Sequence, residues 1–197
     1  MPVNIVMIIT CVVCAMSLYR YNFDSEVSYI KSNLDNNYYL VVNGEDNKSS
    51  ADELAKLRIR LDSFVKHMHS KKNSIQNCGL SCKQAIERMY TRFISVLKES
   101  KPSSKLTSYT VNKGPIYMCI RDKDNREIID ENTLIFVALH ELAHVMTRSI
   151  GHTKEFWRNF AFLLKHAIKD GYYQYHPYHQ MPKKYCGTMI TDTPYKL

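Results

Sequence analysis

The chain has 197 residues with 45% hydrophobic and 23% charged residues and a formal net charge of +8. That is room for one domain with a real core and an extra segment. The composition excludes fibrous and disordered classes. Residues 148–197 carry eight Lys/Arg against three Asp/Glu, a net +5. A basic C-terminal stretch of this kind can favour nucleic acid, anionic lipid or acidic substrates, although no Lys/Arg run exceeds two and a solvated surface explains it more simply.

Residues 3–19 are apolar apart from Asn4, Thr10, Ser17 and the Tyr19 hydroxyl, with no charge before Arg20. A membrane-spanning helix needs about 20 apolar residues, with a lower limit near ~17. The segment reads as an uncleaved anchor rather than a cleaved signal peptide, because a positive n-region is missing. The basic residues that follow it place the C-terminal domain in the cytosol. The expectation is a single-pass membrane protein: residues 1–20 the transmembrane or signal-anchor segment, 21–50 a polar linker and 51–197 the globular domain.

Within the linker, Tyr38 to Val42 can form a short strand. Helical periodicity starts at Ala51, with Leu54, Leu57, Leu61, Phe64, Val65 and Met68 on one face. A second helix is predicted over 81–99 and strands over 108–111 and 116–121. The helix predicted over 132–150, capped by Asn132, is apolar on every side and so belongs in the centre of the domain. A last helix runs over 153–169 and stops at Gly171. The Tyr-, His- and Pro-rich tail from 172 wraps the surface. The six cysteines show no scaffold spacing, which points to a reducing compartment. His67, His69, Cys78 and Cys82 lack the spacing of a zinc site, and two helices flanking a loop explain those residues better.

His140-Glu141-Leu142-Ala143-His144 carries the chemistry. Histidines four apart on a helix share a face and can grip one ion. Glu141, rotated by about 100°, can take a proton from a metal-activated water without ligating the metal. A buried helix would not place two His and a Glu in its interior without partners, and a metal is one. A catalytic zinc takes three protein ligands plus water. His152 is the best third ligand: an unbroken helix would carry it about 12 Å past His144, but Gly151 can turn the chain and return it. Glu155 ranks next, then His176 or His179. Tyr185 is the preferred tyrosine for stabilising an oxyanion, although packing suits most tyrosines of the tail better. Phe156 and Trp157 pack the last helix on the active one.

These residues, with Gly151-His152-Thr153-Lys154-Glu155-Phe156-Trp157, resemble the WLM and SprT-like zinc metallopeptidases, above all the WLM-type proteins encoded by large DNA viruses. The resemblance covers about 108–187. It implies a small zincin-like α+β domain with a short sheet around the HExxH helix, Zn2+ on His140, His144 and His152, and Glu141 as general base. It also implies an edge strand that pairs with extended protein or peptide substrate, for which 116–121 is the candidate. Seven residues between His144 and His152 exclude the metzincin spacing. The alternative function is a zinc-stabilised binding module without turnover, contacting DNA or a membrane-associated partner.

Overall fold

In the computed structural model the described residues are 5–196, with the side chains of 5, 6 and 19–25 left out. The chain runs α1 (Ile5–Glu26), β1 (Val27–Lys31), β2 (Tyr38–Val42), α2 (Asn47–Lys71), α3 (Leu80–Arg92), β3 (Leu97–Glu99), β4 (Ser108–Thr110), β5 (Ile116–Met118), α4 (Glu131–Met146), α5 (Lys154–Lys169), β6 (Lys183–Tyr185) and β7 (Thr188–Ile190). This is a mixed α+β architecture. Its centre is α4, where Leu134 to Leu139, Leu142, Ala143, Val145 and Met146 are all buried. The all-round apolar sequence requires that position. α2 lays Leu54, Leu57, Leu61, Phe64 and Met68 into the same core.

The central sheet has the order β3-β5-β4, with β5 parallel to β3 and antiparallel to β4. β5 is therefore the inner strand. The edge beside α4 is β4, not 116–121, because Ile116 to Met118 are already paired on both sides. Asn112 and Lys113, both left-handed at φ 50° and 58°, turn β4 into β5, and Gly114 N donates to Val111 O at 2.8 Å.

Several expectations change. Among the described residues no helix is long and apolar enough to cross a membrane. This overturns the single-pass membrane protein and its spanning anchor over 3–19. The apolar part of α1 ends at Leu18, and the helix then runs on through Arg20, Asn22, Asp24 and Glu26, too polar to span. Residues 3 and 4 of that anchor lie outside the described residues. The linker is structured: β1 and β2 form an antiparallel hairpin, tied to α2 by Ser32 Oγ donating to Asp52 at 2.6 Å and to β3 by Val42 N donating to the buried Glu99 carboxylate at 2.7 Å.

The second helix stops at Arg92 rather than 99. Phe93 is extended and Ser95 is left-handed at φ 52°, so Leu97 enters a strand. α4 ends at Met146, four residues before 150, and its N-cap is Asp130, whose carboxylate accepts from Thr133 N at 3.0 Å. The tail is part of the core: Tyr173, Tyr178 and Tyr185 are buried, and β6 and β7 form a hairpin. Cysteine pairing is set by the fold rather than by spacing. Cys78 is bonded to Cys82 and Cys119 to Cys186, with Cα atoms 5.2 and 6.1 Å apart. These bonds contradict the reducing-compartment expectation, since disulfides persist in oxidising surroundings. They also remove Cys78 and Cys82 as zinc ligands.

Candidate metal centre

His140 and His144 project from one face of α4, their ring centroids 5.1 Å apart. After Met146 the chain leaves the helix at Thr147, whose hydroxyl donates back to Ala143 O at 2.7 Å. The return loop is pinned at several points. Glu155 accepts from Arg148 N, Ser149 N and Ser149 Oγ at 3.1, 3.2 and 3.0 Å. Asn159 Nδ2 donates to Thr147 Oγ1 at 2.8 Å, and Lys113 Nζ donates to the carbonyls of Thr147 and Arg148. Gly151 is left-handed at φ 80°, a conformation that costs glycine little. His152 is thereby set against the helix pair. Its ring centroid is 5.0 Å from both His140 and His144, and its Nε2 lies 3.1 Å from His140 Nε2.

The three rings form a nearly equilateral triangle, and one nitrogen of each lies within 4.8 Å of the others. Zinc–nitrogen distances near 2.0–2.1 Å in tetrahedral geometry bring imidazole nitrogens to about 3.3 Å. The triad fits that donor set with small closure. Burial holds His140 down to about 3, with help from the neighbouring His144 and His152, and His144 down to about 4. Both rings are therefore neutral at pH 7 and present lone pairs, as metal ligation requires.

Phe156, fully buried, touches all three rings: stacked on His144 at 4.3 Å, and edge-on to His140 and His152 at 4.9 and 4.7 Å. It forms the apolar floor that positions the triad. Trp157 stays 45% exposed and faces only His152 among them, at 5.6 Å. Pairing of the two helices was legible in the sequence, whereas the contact of one phenylalanine with all three imidazoles was not.

Glu141, 2% exposed, lines the same cleft as the three histidines. Ser108 Oγ donates to Oε1 at 2.7 Å and Thr110 Oγ1 to Oε2 at 2.8 Å. Residues two apart on a strand share a face, so edge strand β4 presents both hydroxyls to one carboxylate. Tyr109, on the opposite face, stacks on Tyr117 at 4.7 Å. Burial raises the Glu141 carboxyl above its ordinary value, and the two hydroxyl bonds act against that rise. Sequence inspection missed Ser108 and Thr110. Their i, i+2 spacing in a strand before the helix was the only signal.

The other predicted residues lie apart from the triad. Glu155 spends its carboxylate on the return loop. His176 hydrogen-bonds Met181 O at 2.7 Å and packs on Tyr178. Tyr185 is 3% exposed and not among the residues lining the cleft; burial pushes its phenol up, and the nearby Glu141 carboxylate adds to that. That cleft, of about 1260 Å³, runs between Thr107 to Thr110 on one side and His140, His144 and Ser149 to His152 on the other.

Fold and site together define a small α+β protein with a three-histidine centre able to hold a metal, beside a buried glutamate and a free sheet edge. The chain belongs to the same family as the uncharacterized protein R325 of Acanthamoeba polyphaga mimivirus, with 33% identity over 192 residues, 96% of this chain and 95% of that protein. It is also similar to uncharacterized protein 042R of Invertebrate iridescent virus 3 (49% identity over 80 residues, 41% of this chain and 49% of that protein). Uncharacterized protein 136R of Invertebrate iridescent virus 6 matches at 42% over 81 residues, 40% of this chain and 46% of that protein. The chain thus spans about half the length of the two iridescent-virus relatives. No family model matches. Among solved structures, Wss1 from Saccharomyces cerevisiae aligns over 50% of this chain and 86% of that one, with 20% identity and a TM-score of 0.34.

Proposed function

We propose that the protein is a zinc-dependent metallopeptidase of the WLM/SprT-like kind, acting on protein or peptide substrates. The observation that carries this reading is the equidistant triangle of His140, His144 and His152, with Glu141 one residue along the same helix. Bound zinc supplies Lewis acidity and makes water a nucleophile near neutral pH.

The chain's own residues do the rest. His140, His144 and His152 hold the ion through neutral nitrogens. Glu141 takes a proton on its carboxylate from the attacking water and passes it to the departing amine nitrogen. Ser108 and Thr110 fix the rotation of that carboxylate. Buried Phe156 keeps the three imidazoles aligned. β4 offers its unpaired edge to an extended polypeptide, which binds through main-chain hydrogen bonds with little dependence on sequence. The same strand thus touches both substrate and base. Tyr185 is buried and does not line the cleft, so it is given no oxyanion role in this reading.

The test is Glu141→Gln in zinc-loaded protein. The reading expects zinc to stay bound while hydrolysis of a casein substrate falls by roughly a thousandfold or more, the scale of losing a general base together with its orientation. Unchanged hydrolysis would remove Glu141 from the mechanism. Absence of any hydrolysis by zinc-loaded wild type would favour the binding-module alternative.

A further inference from the structure

The charge along the cleft is one-sided. Arg92, at the end of α3, and Lys113, in the turn between β4 and β5, both line it. The carboxylate lining it is Glu141, which is buried and held by Ser108 and Thr110. Arg92 is exposed, and among the described residues no carboxylate forms an ion pair with it.

More cations crowd the same end. Arg88 lies one helical turn before Arg92, and Arg148 starts the return loop. Burial pulls the Arg88 guanidinium down, and repulsion from Arg148 and Arg92 adds to it. Burial, Arg92 and Arg88 act on Lys113 in the same direction. Glu155 is the acid facing this group, 3.5 Å from Arg88, but it already accepts three hydrogen bonds from Arg148 and Ser149. Lys113 also holds a left-handed backbone at φ 58°, where a lysine side chain is disfavoured and glycine or asparagine is usual. Gathering like charges around a cleft costs stability, and an entering anion offsets that cost.

Beside the cations, the cleft wall carries exposed Ile94, Leu106 and Ile150. An occupant must then alternate charge with apolar surface. A polypeptide does so. A nucleic-acid backbone repeats its charge at every step and gains nothing from isoleucine and leucine.

We propose that the cleft selects extended polypeptides carrying an acidic side chain where Arg92 and Lys113 meet it, flanked by apolar residues. The proposal rests on the peptidase reading of the same site, and its test separates the two. Dodecapeptides of Ala, Leu and Ser are synthesised with Glu, Gln or Lys scanned through the central positions. Zinc-loaded wild type is assayed for cleavage, and zinc-loaded Glu141→Gln for binding by fluorescence anisotropy. At one register Glu is preferred over Gln by roughly three- to tenfold, the scale of one partly screened charge-assisted contact. The preference weakens as salt rises. Arg92→Glu, an exposed change that leaves the core intact, abolishes it and turns it toward Lys. Lys113 is left unaltered because its ammonium also ties the return loop. A register-specific Glu preference in binding without cleavage by wild type upholds the selectivity of the cleft for acidic polypeptides and refutes the peptidase reading. Absence of a Glu preference at every register overturns the proposal, as does a preference that survives Arg92→Glu. A labelled single-stranded DNA that displaces the peptides and loses affinity in Arg92→Glu would overturn it in favour of nucleic acid.

Discussion

Thr110→Val is nearly isosteric and removes a single hydroxyl. In the native protein that hydroxyl donates to Glu141 Oε2 at 2.8 Å, while Ser108 donates to Oε1 at 2.7 Å. A hydrogen bond to a charged group contributes about 1.5–3 kcal/mol. Each 1.36 kcal/mol on a barrier is about tenfold in rate. Removing one donor from a carboxylate that must keep its rotation during proton transfer therefore lowers kcat by roughly 10- to 100-fold. The loss in Thr110→Val with Ser108→Ala falls short of the product of the single losses, since both hydroxyls act on one group. KM changes little, because β4 still offers its backbone to substrate, and Thr110→Ser restores most of the rate. The assay is steady-state hydrolysis of a quenched peptide by zinc-matched proteins. Thr110→Val and Ser108→Ala both retaining kcat within about twofold would refute the positioning role, since hydrogen bonds worth 1.5–3 kcal/mol cannot vanish so cheaply.

Three further outcomes follow from the same geometry. Phe156→Ala, at a fully buried ring against all three imidazoles, destabilises the fold by about 3–5 kcal/mol in urea unfolding and lowers zinc affinity, whereas Phe156→Leu keeps most of the stability. Tyr185→Phe deletes a buried hydroxyl that bonds no side chain among the described residues, so stability changes by no more than about 1 kcal/mol and the hydrolysis rate is unchanged; a hundredfold loss of rate would restore Tyr185 as an oxyanion donor. His166 is held down to about 4 by burial and by Lys71, so between 6.5 and about 4 the unfolded chain binds a proton that the folded one does not. Its contribution is complete above 6.5 and lost on acidification, and the urea midpoint of wild type minus that of His166→Gln must shrink as pH falls through that window. A difference that widens contradicts the assignment.

What could be read in the sequence was local. The apolar surround of α4 predicted a central helix, and the break at Gly151 gave His152 a route back to it. β4 and β5 followed from alternation bounded by Asn112 and Lys113. The second helix was overrun because Val96 and Leu97 continue its apolar spacing equally well as helix or strand, and only the left-handed Ser95 separates them. Asn132 and Asp130 are both good caps, and the choice fell to the one whose carboxylate reaches Thr133 N. The remaining gaps are long-range. Nothing near Cys119 announces Cys186, 67 residues later. Nothing local couples Ser108 and Thr110 to Glu141, more than thirty residues on. The buried tail tyrosines looked like surface residues because Tyr, His and Pro carry no periodicity. At the N-terminus a run of apolar residues near the lower limit for a span reads as one only when the polar end of the same helix is given no weight.

The central claim is that His140, His144 and His152 hold one zinc. Zinc per chain, measured by mass spectrometry after dialysis of the folded protein, tests it most directly. The account predicts one zinc in wild type, loss of it in His152→Ala, and retention in Glu155→Ala, whose side chain serves the return loop instead. Zinc retained at full stoichiometry in His152→Ala, or lost only in Glu155→Ala, would contradict it.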